Sequence, residues 1–586
     1  MRGITGLPTA PETSVLKAVV VAIAVVQAAV LGLLARRGSW LSDDLEFLVQ
    51  GSRGFAPAEL LTPVNDHIAP GLRFVYAVFA EVAPLNHDLT VAWRVLMQAV
   101  AIFLIGRLLL RILGPTWWVV AGTLIYALTP LSMPSFMSLS SGVNNLSAHV
   151  FGLLLLHATI DWYDGRRRAL VYGPLALLIS LACWEKSALI LLTVVAIALY
   201  LREEPIRGWL RRTWPFAAAL TAAVVAFGTL YLTHGNPSRG RIPAGQLLEL
   251  TARGFKVPLS ALAGGPWTWA ESGQPFSFAD PGVGALVVGG LMAAVLLLAA
   301  WRHDRRALLL WAAVLGYVLV TVVLVSYGRF SVFGTVFTVH YHYWSDLSIP
   351  LTLAVVLSAK ALRLPRLVPV LALGALLVGV VVSDAGFART WAANPAKPYF
   401  ANVTADLDRA GPNVNLWDTP MPHPIGTALM KDNRLSQVLR MARIPFRLQQ
   451  PGSEPLLVDD TGKLRPAQFV VWSRADPASR SNPFCNLLVR GTEPLTIPLT
   501  PTQNEIATAS WFVKAAYFSN RENAVTVELI DATGTVAALP AAQWTAGVGS
   551  MYFGPSRRIT ATEVRLRSSD PATNLCVENL EIGLPR

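Results

Sequence analysis

The chain has 586 residues, 53% of them hydrophobic and only 14% charged, with a formal net charge of +12 at pH 7. Soluble domains carry about a quarter charged residues, so most of this chain is built for lipid rather than water. The basic residues fall in short clusters between apolar runs, the pattern of membrane loops, which excludes nucleic acid as the partner.

The first apolar run, Val15 to Leu34, is long enough to span and is followed by no small-residue cleavage site, so it reads as a span rather than a signal peptide. Further runs follow at 91–111, 116–132, 146–161, 169–183, 187–201, 214–233, 283–301, 307–327, 345–361 and 366–384. With the first, taken as 15–35, this predicts a polytopic α-helical membrane domain of about eleven spans over residues 1–384. Arg107 and Arg111, the run Arg166–Arg168, Arg202 to Arg212, Arg302 to Arg306, and Lys360 with Arg363 and Arg366 all fall on one side of that arrangement. By the positive-inside rule that side is the cytoplasm. An odd number of spans then puts the N-terminus inside and the C-terminal third outside, in a multi-pass protein of the cytoplasmic membrane.

The outer side carries the long loops. The first opens with Leu41-Ser42-Asp43-Asp44-Leu45-Glu46 and continues to Asn65-Asp66-His67-Ile68-Ala69-Pro70. Adjacent carboxylates at the mouth of a span are costly unless water, a cation or a substrate uses them. Ser42 or Asp43 is placed to cap a helix through Phe47-Leu48-Val49. A carboxylate beside a second carboxylate has a raised pKa, which suits a general base. With Asp43 better placed as the cap, Asp44 is the favoured base and Asp43 the alternative. Asp66 and His67 read either as a turn before Pro70 or as residues lining the same site. The segment Leu72 to Ala83 is too short and, with Glu81, too charged to span; it reads as a helix in the interface.

The later outer loops hold the remaining candidates. Residues 133–145 contain Ser, Asn and Met but no acid. Glu185 and Lys186 stand at a tight outer turn, as an internal ion pair or with Lys186 on a lipid phosphate. Arg239 and Arg241 are phosphate candidates in a Pro- and Gly-bearing loop. Arg329 with His340-Tyr341-His342-Tyr343 reads either as an aromatic belt or as groups that hold a sugar and a phosphate, with Asp346 as an anchoring acid.

Beyond residue 384 the composition changes. Residues 385–480 mix a helix at Leu435–Ala442 with short strands such as Phe469-Val470-Val471-Trp472. Residues 481–586 alternate apolar and polar positions at Val525/Val527/Leu529 and Val564/Leu566, with a turn at Asp531–Gly534, and predict an extracytoplasmic β-rich domain of sandwich or jelly-roll type. In an oxidising compartment Cys485 and Cys576 pair, whereas Cys183, inside an apolar run, stays a buried thiol.

The acid pair after span one, the long first outer loop, the many spans and the outer soluble domain together resemble the GT-C superfamily of membrane glycosyltransferases, in particular its actinobacterial members. The resemblance implies a polyprenyl-phosphate-linked sugar donor, a cell-envelope glycan or glycoconjugate acceptor, inverting transfer on the outer membrane face with a first-loop Asp as base, and a C-terminal domain of carbohydrate-binding type. Asp43, Asp44, Asp66 and His67 are also of the right type to ligate Mg²⁺ or Mn²⁺. With no acid in 133–145, unlike the metal-dependent relatives, the reading favours chemistry without a cofactor and leaves a divalent ion open. The alternative class is a transporter or lipid-linked-sugar flippase, which would place its ionisable groups near the bilayer midplane and show internal repeats.

Overall fold

A backbone in lipid must satisfy its own polar groups, and the apolar runs of the first two thirds of the chain do so as helices. In the computed structural model, residues 11–586 are described except 64–66, 236–243, 272–275, 363–364, 366, 424, 428–429, 432, 453–454, 477–483 and 503–506. The chain divides into two units, Met1–Ala396 and Lys397–Arg586.

Seven helical stretches among the described residues are long and apolar enough to cross a membrane: Thr13–Ala35, His87–Leu113, Leu139–Tyr163, Ile206–His234, Val283–His303, Arg305–Ser331 and Leu367–Ala410, the last made of the helix Leu367–Ala392 of the first unit and a second helix, Ala396–Ala410, that runs on past its end. Four shorter apolar helices, Trp118–Ala127, Ala169–Cys183, Ile190–Tyr200 and Ser348–Ala361, fall on the other expected spans. Large apolar side chains such as Val26 (63% exposed), Leu33 (66%) and Leu291 (63%) point outwards. That is the reverse of a water-soluble surface. Leu139–Tyr163 is instead enclosed by the others, which is why it tolerates His149, His157 and Asp161.

Residues 133–145, expected as a loop, are mostly helical: a short helix Met133–Met137 breaks at Ser138, where the chain is extended, and the long helix restarts at Leu139. The break turns Ser138 and Ser140 towards the acid pair, a role that their polarity alone does not reveal. The first outer segment forms the helices Ser42–Gly51 and Pro70–Val82. They pack closely: a Cβ on Gly51 would lie 2.8 Å from the Tyr76 carbonyl oxygen, and Phe47 meets Tyr76 edge to face at 5.3 Å.

Among its described residues, the second unit contains two sheets. The smaller orders the strands Arg447–Leu448, Asn415–Leu416, Leu456–Val458 and Leu464–Pro466, with parallel pairing on both sides of Asn415–Leu416. The larger has ten strands and folds onto a single core. Val527 and Leu529 stand in register with Leu566 and Val564. They share that core with Val513, Ala515 and Tyr517 and with Leu575, Val577 and Ile582. The alternation read from the sequence is thus the inward face of a sheet. Asp531 closes the turn before Gly534 by accepting from the backbone of Thr533 and Thr535 at 2.9 and 2.8 Å. Cys485 and Cys576 are joined, and Cys183 is free and buried.

Candidate active site

The acid pair opens the helix Ser42–Gly51, and the two carboxylates meet different surroundings. Asp44 is buried. Its Oδ2 accepts from the Leu41 backbone N–H at 3.0 Å, which ties down the start of the helix. Its Oδ1 accepts from Ser140 N–H at 2.7 Å and from the Ser138 hydroxyl at 3.1 Å. The capping role expected of Asp43 therefore falls to Asp44, because the third helical residue, not the second, folds back onto the preceding backbone N–H.

Behind this grip stands Arg94, fully buried. Its guanidinium donates to the carbonyls of Phe136, at 2.8 Å, and Met137, and to Thr90 at 3.2 Å. It braces the break that presents Ser138 and Ser140, and its charge offsets that of Asp44. Tyr76 lies against the pair; burial and both carboxylates push its hydroxyl well above the usual tyrosine range.

Asp43, one residue earlier, points about 100° away around the helix. Its side chain is exposed to water, yet it lies in a recess crowded by protein. Loss of hydration there, followed by repulsion from Asp44, pushes its carboxyl up to about 6, against the pull of Arg329 and a hydrogen bond from Ser42. Arg329 is half-buried. It donates to the Tyr343 hydroxyl at 3.4 Å and to His67 Nε2 at 3.2 Å. A guanidinium only donates, so Nε2 accepts and the other ring nitrogen, Nδ1–H, donates to Glu185 Oε1. Glu185 Oε2 is buried with no hydrogen-bond partner among the described residues. His342 is half-buried beside this group, 3.8 Å from Tyr343 ring to ring, and burial, His340 and the charges of Arg329 and Lys186 hold it well below the usual histidine range. Asn145 fixes that loop by donating to the His342 carbonyl at 3.1 Å.

Other candidates lie elsewhere. Lys186 is buried and spends its ammonium on Asp346 Oδ1 (2.6 Å) and the Tyr343 carbonyl (2.5 Å), while Tyr317 donates to Asp346 Oδ2 at 2.6 Å. Lys186 thus forms a buried ion pair, but with Asp346 rather than with its neighbour Glu185, which turns to His67. His340 is enclosed by Phe278 and Phe337, with Ser277 at 3.2 Å from Nδ1, and burial lowers it to about 3. Tyr341 faces the interior, its hydroxyl 2.8 Å from Ser260. Asp66, Arg239 and Arg241 lie outside the described residues. Among aromatic residues of the second unit, Trp511, Tyr517 and Trp544 are core. Arg94, Tyr76, Ser138 and Ser140 were not candidates from the sequence; an arginine within the expected span 91–111 was the one available signal.

No family model matches the chain, and no curated protein sequence matches it. By structure it is similar to the mycobacterial arabinofuranosyltransferase AftD, at 12% identity over 98% of this chain and 62% of that one, with a TM-score of 0.38. It is similar to the arabinosyltransferase EmbB from Mycobacterium smegmatis, at 12% identity over 100% of this chain and 66% of that one, TM-score 0.40. A third is ArnT from Cupriavidus metallidurans bound to undecaprenyl phosphate, at 14% identity over 78% of this chain and 96% of that one, TM-score 0.42. The chain spans less than two thirds of the length of the two mycobacterial proteins. Likeness at this level leaves the activity to be argued from the residues.

Proposed function

We propose that the chain is a GT-C-type membrane glycosyltransferase that moves a sugar, with inversion, from a polyprenyl-phosphate-linked donor to a hydroxyl of a cell-envelope glycan or glycoconjugate at the outer face of the cytoplasmic membrane. The observation that carries this is the recess at one end of an apolar helix bundle, where a water-reached Asp43 stands beside Arg329 and the His67–Glu185 pair.

In this reading Asp43 takes the proton of the acceptor hydroxyl, whose oxygen attacks the anomeric carbon. The bond from that carbon to the phosphate oxygen breaks, and the polyprenyl phosphate leaves with the bonding pair. A base with a pKa near 6 is ionised at neutral pH and still basic enough to draw a proton. Arg329 meets the charge that develops on the leaving phosphate. His67, held between Glu185 and Arg329, fixes the guanidinium in place, and Glu185 Oε2 accepts a sugar hydroxyl. Arg329 supplies this charge without a divalent cation, so a chelator leaves turnover unchanged. Transport would require ionisable groups along a path through the bundle. This group converges at one end.

The test is transfer by purified protein in nanodiscs, with polyprenyl-monophosphate pentoses and hexoses as donors and envelope oligosaccharides as acceptors. Wild-type protein should form the inverted glycoside, and Asp43→Asn should turn over about 10²–10⁴-fold more slowly while still binding donor. Equal turnover by Asp43→Asn and wild type would remove the proposed base, and retention of anomeric configuration would refute the single displacement.

A further inference from the structure

A groove of about 800 Å³ opens on the second unit, between the end of the helix Leu435–Met441 and the residues after the strand Arg447–Leu448. Arg440, Arg443 and Arg447 line it together with Phe446, Gln450 and Pro451. All three arginines are exposed, and no carboxylate occurs among its described lining residues. Arg440 and Arg447 bring their positive charge to the groove, which favours an anion there.

The backbone carries the same mark. Arg443 has φ +59° at the turn that ends the helix. That place favours glycine or asparagine, and a longer side chain there costs about 1–2 kcal/mol. Arg443 keeps its side chain among those lining the groove despite this cost. Arg447 is oriented by donating to Asn413 Oδ1 at 3.1 Å.

Guanidinium forks pair with carboxylate and phosphate through two parallel hydrogen bonds, which a flexible ammonium cannot do. The volume lies in the range of ligand sites, roughly 300–1,000 Å³, and holds a few sugar rings. Phe446 is half-buried and Pro451 partly so, giving flat apolar faces without a greasy wall. None of the lining residues is among the large apolar side chains exposed in the described structure, so the groove offers no bed for an acyl chain. We propose that this groove binds an acidic glycan segment, sugar residues that carry carboxylate or phosphate groups. The site stands independently of the proposed transfer, and its test requires no turnover.

The experiment measures binding to full-length protein in zwitterionic nanodiscs by thermophoresis. The probes are oligogalacturonate, a phosphorylated mannan oligomer, neutral maltoheptaose, and vesicles containing phosphatidylglycerol. At least one acidic oligosaccharide should bind, more weakly as salt rises, and maltoheptaose should not. R440Q/R447Q should weaken that binding about tenfold or more, equivalent to about 1.4 kcal/mol. R440K/R447K keeps the charge, loses the fork and should weaken it severalfold; it decides the matter if the glutamine variant fails to fold. Failure of both acidic oligosaccharides to bind, binding indifferent to these arginines, or capture by phosphatidylglycerol vesicles alone would each overturn the proposal.

Discussion

Asp44→Asn removes the charge opposite the buried Arg94 and replaces an acceptor oxygen with an N–H₂ group. That group meets the Leu41 N–H or the donors from Ser138 and Ser140. Breaking a buried, hydrogen-bonded charge costs about 2–4 kcal/mol, so this variant should melt well below wild type. Asp43→Asn, on the water-reached side of the same turn, should melt within about 0.5 kcal/mol of wild type and lose its turnover instead. Thermal unfolding in detergent alongside single-turnover transfer separates the two. If Asp44→Asn is as stable as wild type and Asp43→Asn is not, the division of labour between the two acids is reversed.

The pH dependence follows from the same surroundings. A base works only when ionised, so kcat/KM should be full above about 6 and fall as pH drops through it. Arg329 lowers the pKa of Asp43. Arg329→Gln should therefore move the acid limb to higher pH, besides slowing turnover by about 10²–10³-fold through loss of phosphate stabilisation. A limb that stays in place, or moves down, would show that Arg329 does not face the base.

At the scale of elements, the apolar segments were legible because lipid demands long uninterrupted runs; a helix falls on each expected segment, and seven helical stretches among the described residues are long and apolar enough to cross a membrane. The β-strands after residue 481 were legible from their two-residue period, as at Val525, Val527 and Leu529. The different surroundings of Asp43 and Asp44 were not. They are set by Ser138, Ser140 and Arg94, tens of residues away, and by a helix break that no local pattern announces. Lys186 likewise looked available until Asp346, 160 residues later, was seen to occupy it.

Helix packing in the first unit relies on backbone approach. A Cβ on Gly289 would lie 1.7 Å from the Leu259 carbonyl oxygen, so Val283–His303 can cross Leu247–Leu262 this closely only with glycine there. Gly289→Leu should cost about 1–3 kcal/mol or force the helices apart, which would be seen as a lower melting temperature. An unchanged melt would mean the two helices do not approach so closely. In the second unit, the Cys485–Cys576 link closes a separation of 91 residues. The chain-entropy model gives roughly 4–5 kcal/mol for such a loop, and replacing both cysteines by serine should recover at least about 2 kcal/mol of that as lost stability.

Across the helical unit, the arginines of several short loops gather at one end. Arg111 pairs with Asp161 at 2.8 Å and with Asp164 at 2.7 Å, Arg212 reaches the Tyr163 carbonyl, and Arg306 the Tyr200 carbonyl at 3.4 Å. The loops that hold these arginines therefore share one end of the bundle. At the other end, Trp391 donates to the Ala35 carbonyl at 2.9 Å and Asn394 to the Trp40 carbonyl at 3.0 Å. The chain thus leaves the helical unit at the end where the acid pair lies. The proposed orientation, with this arginine end in the cytoplasm, follows from the positive-inside rule. The free cysteine, Cys183, is buried, so labels on introduced cysteines report with little background. Ala58→Cys, exposed in the first loop, should react with an impermeant maleimide on intact cells; Glu203→Cys, exposed at the arginine end, should react only after permeabilisation. A periplasmic reporter fused after residue 395 should be active. If Glu203→Cys labels in intact cells and Ala58→Cys does not, the acid recess opens to the cytoplasm, and a donor presented at the outer leaflet could not reach Asp43.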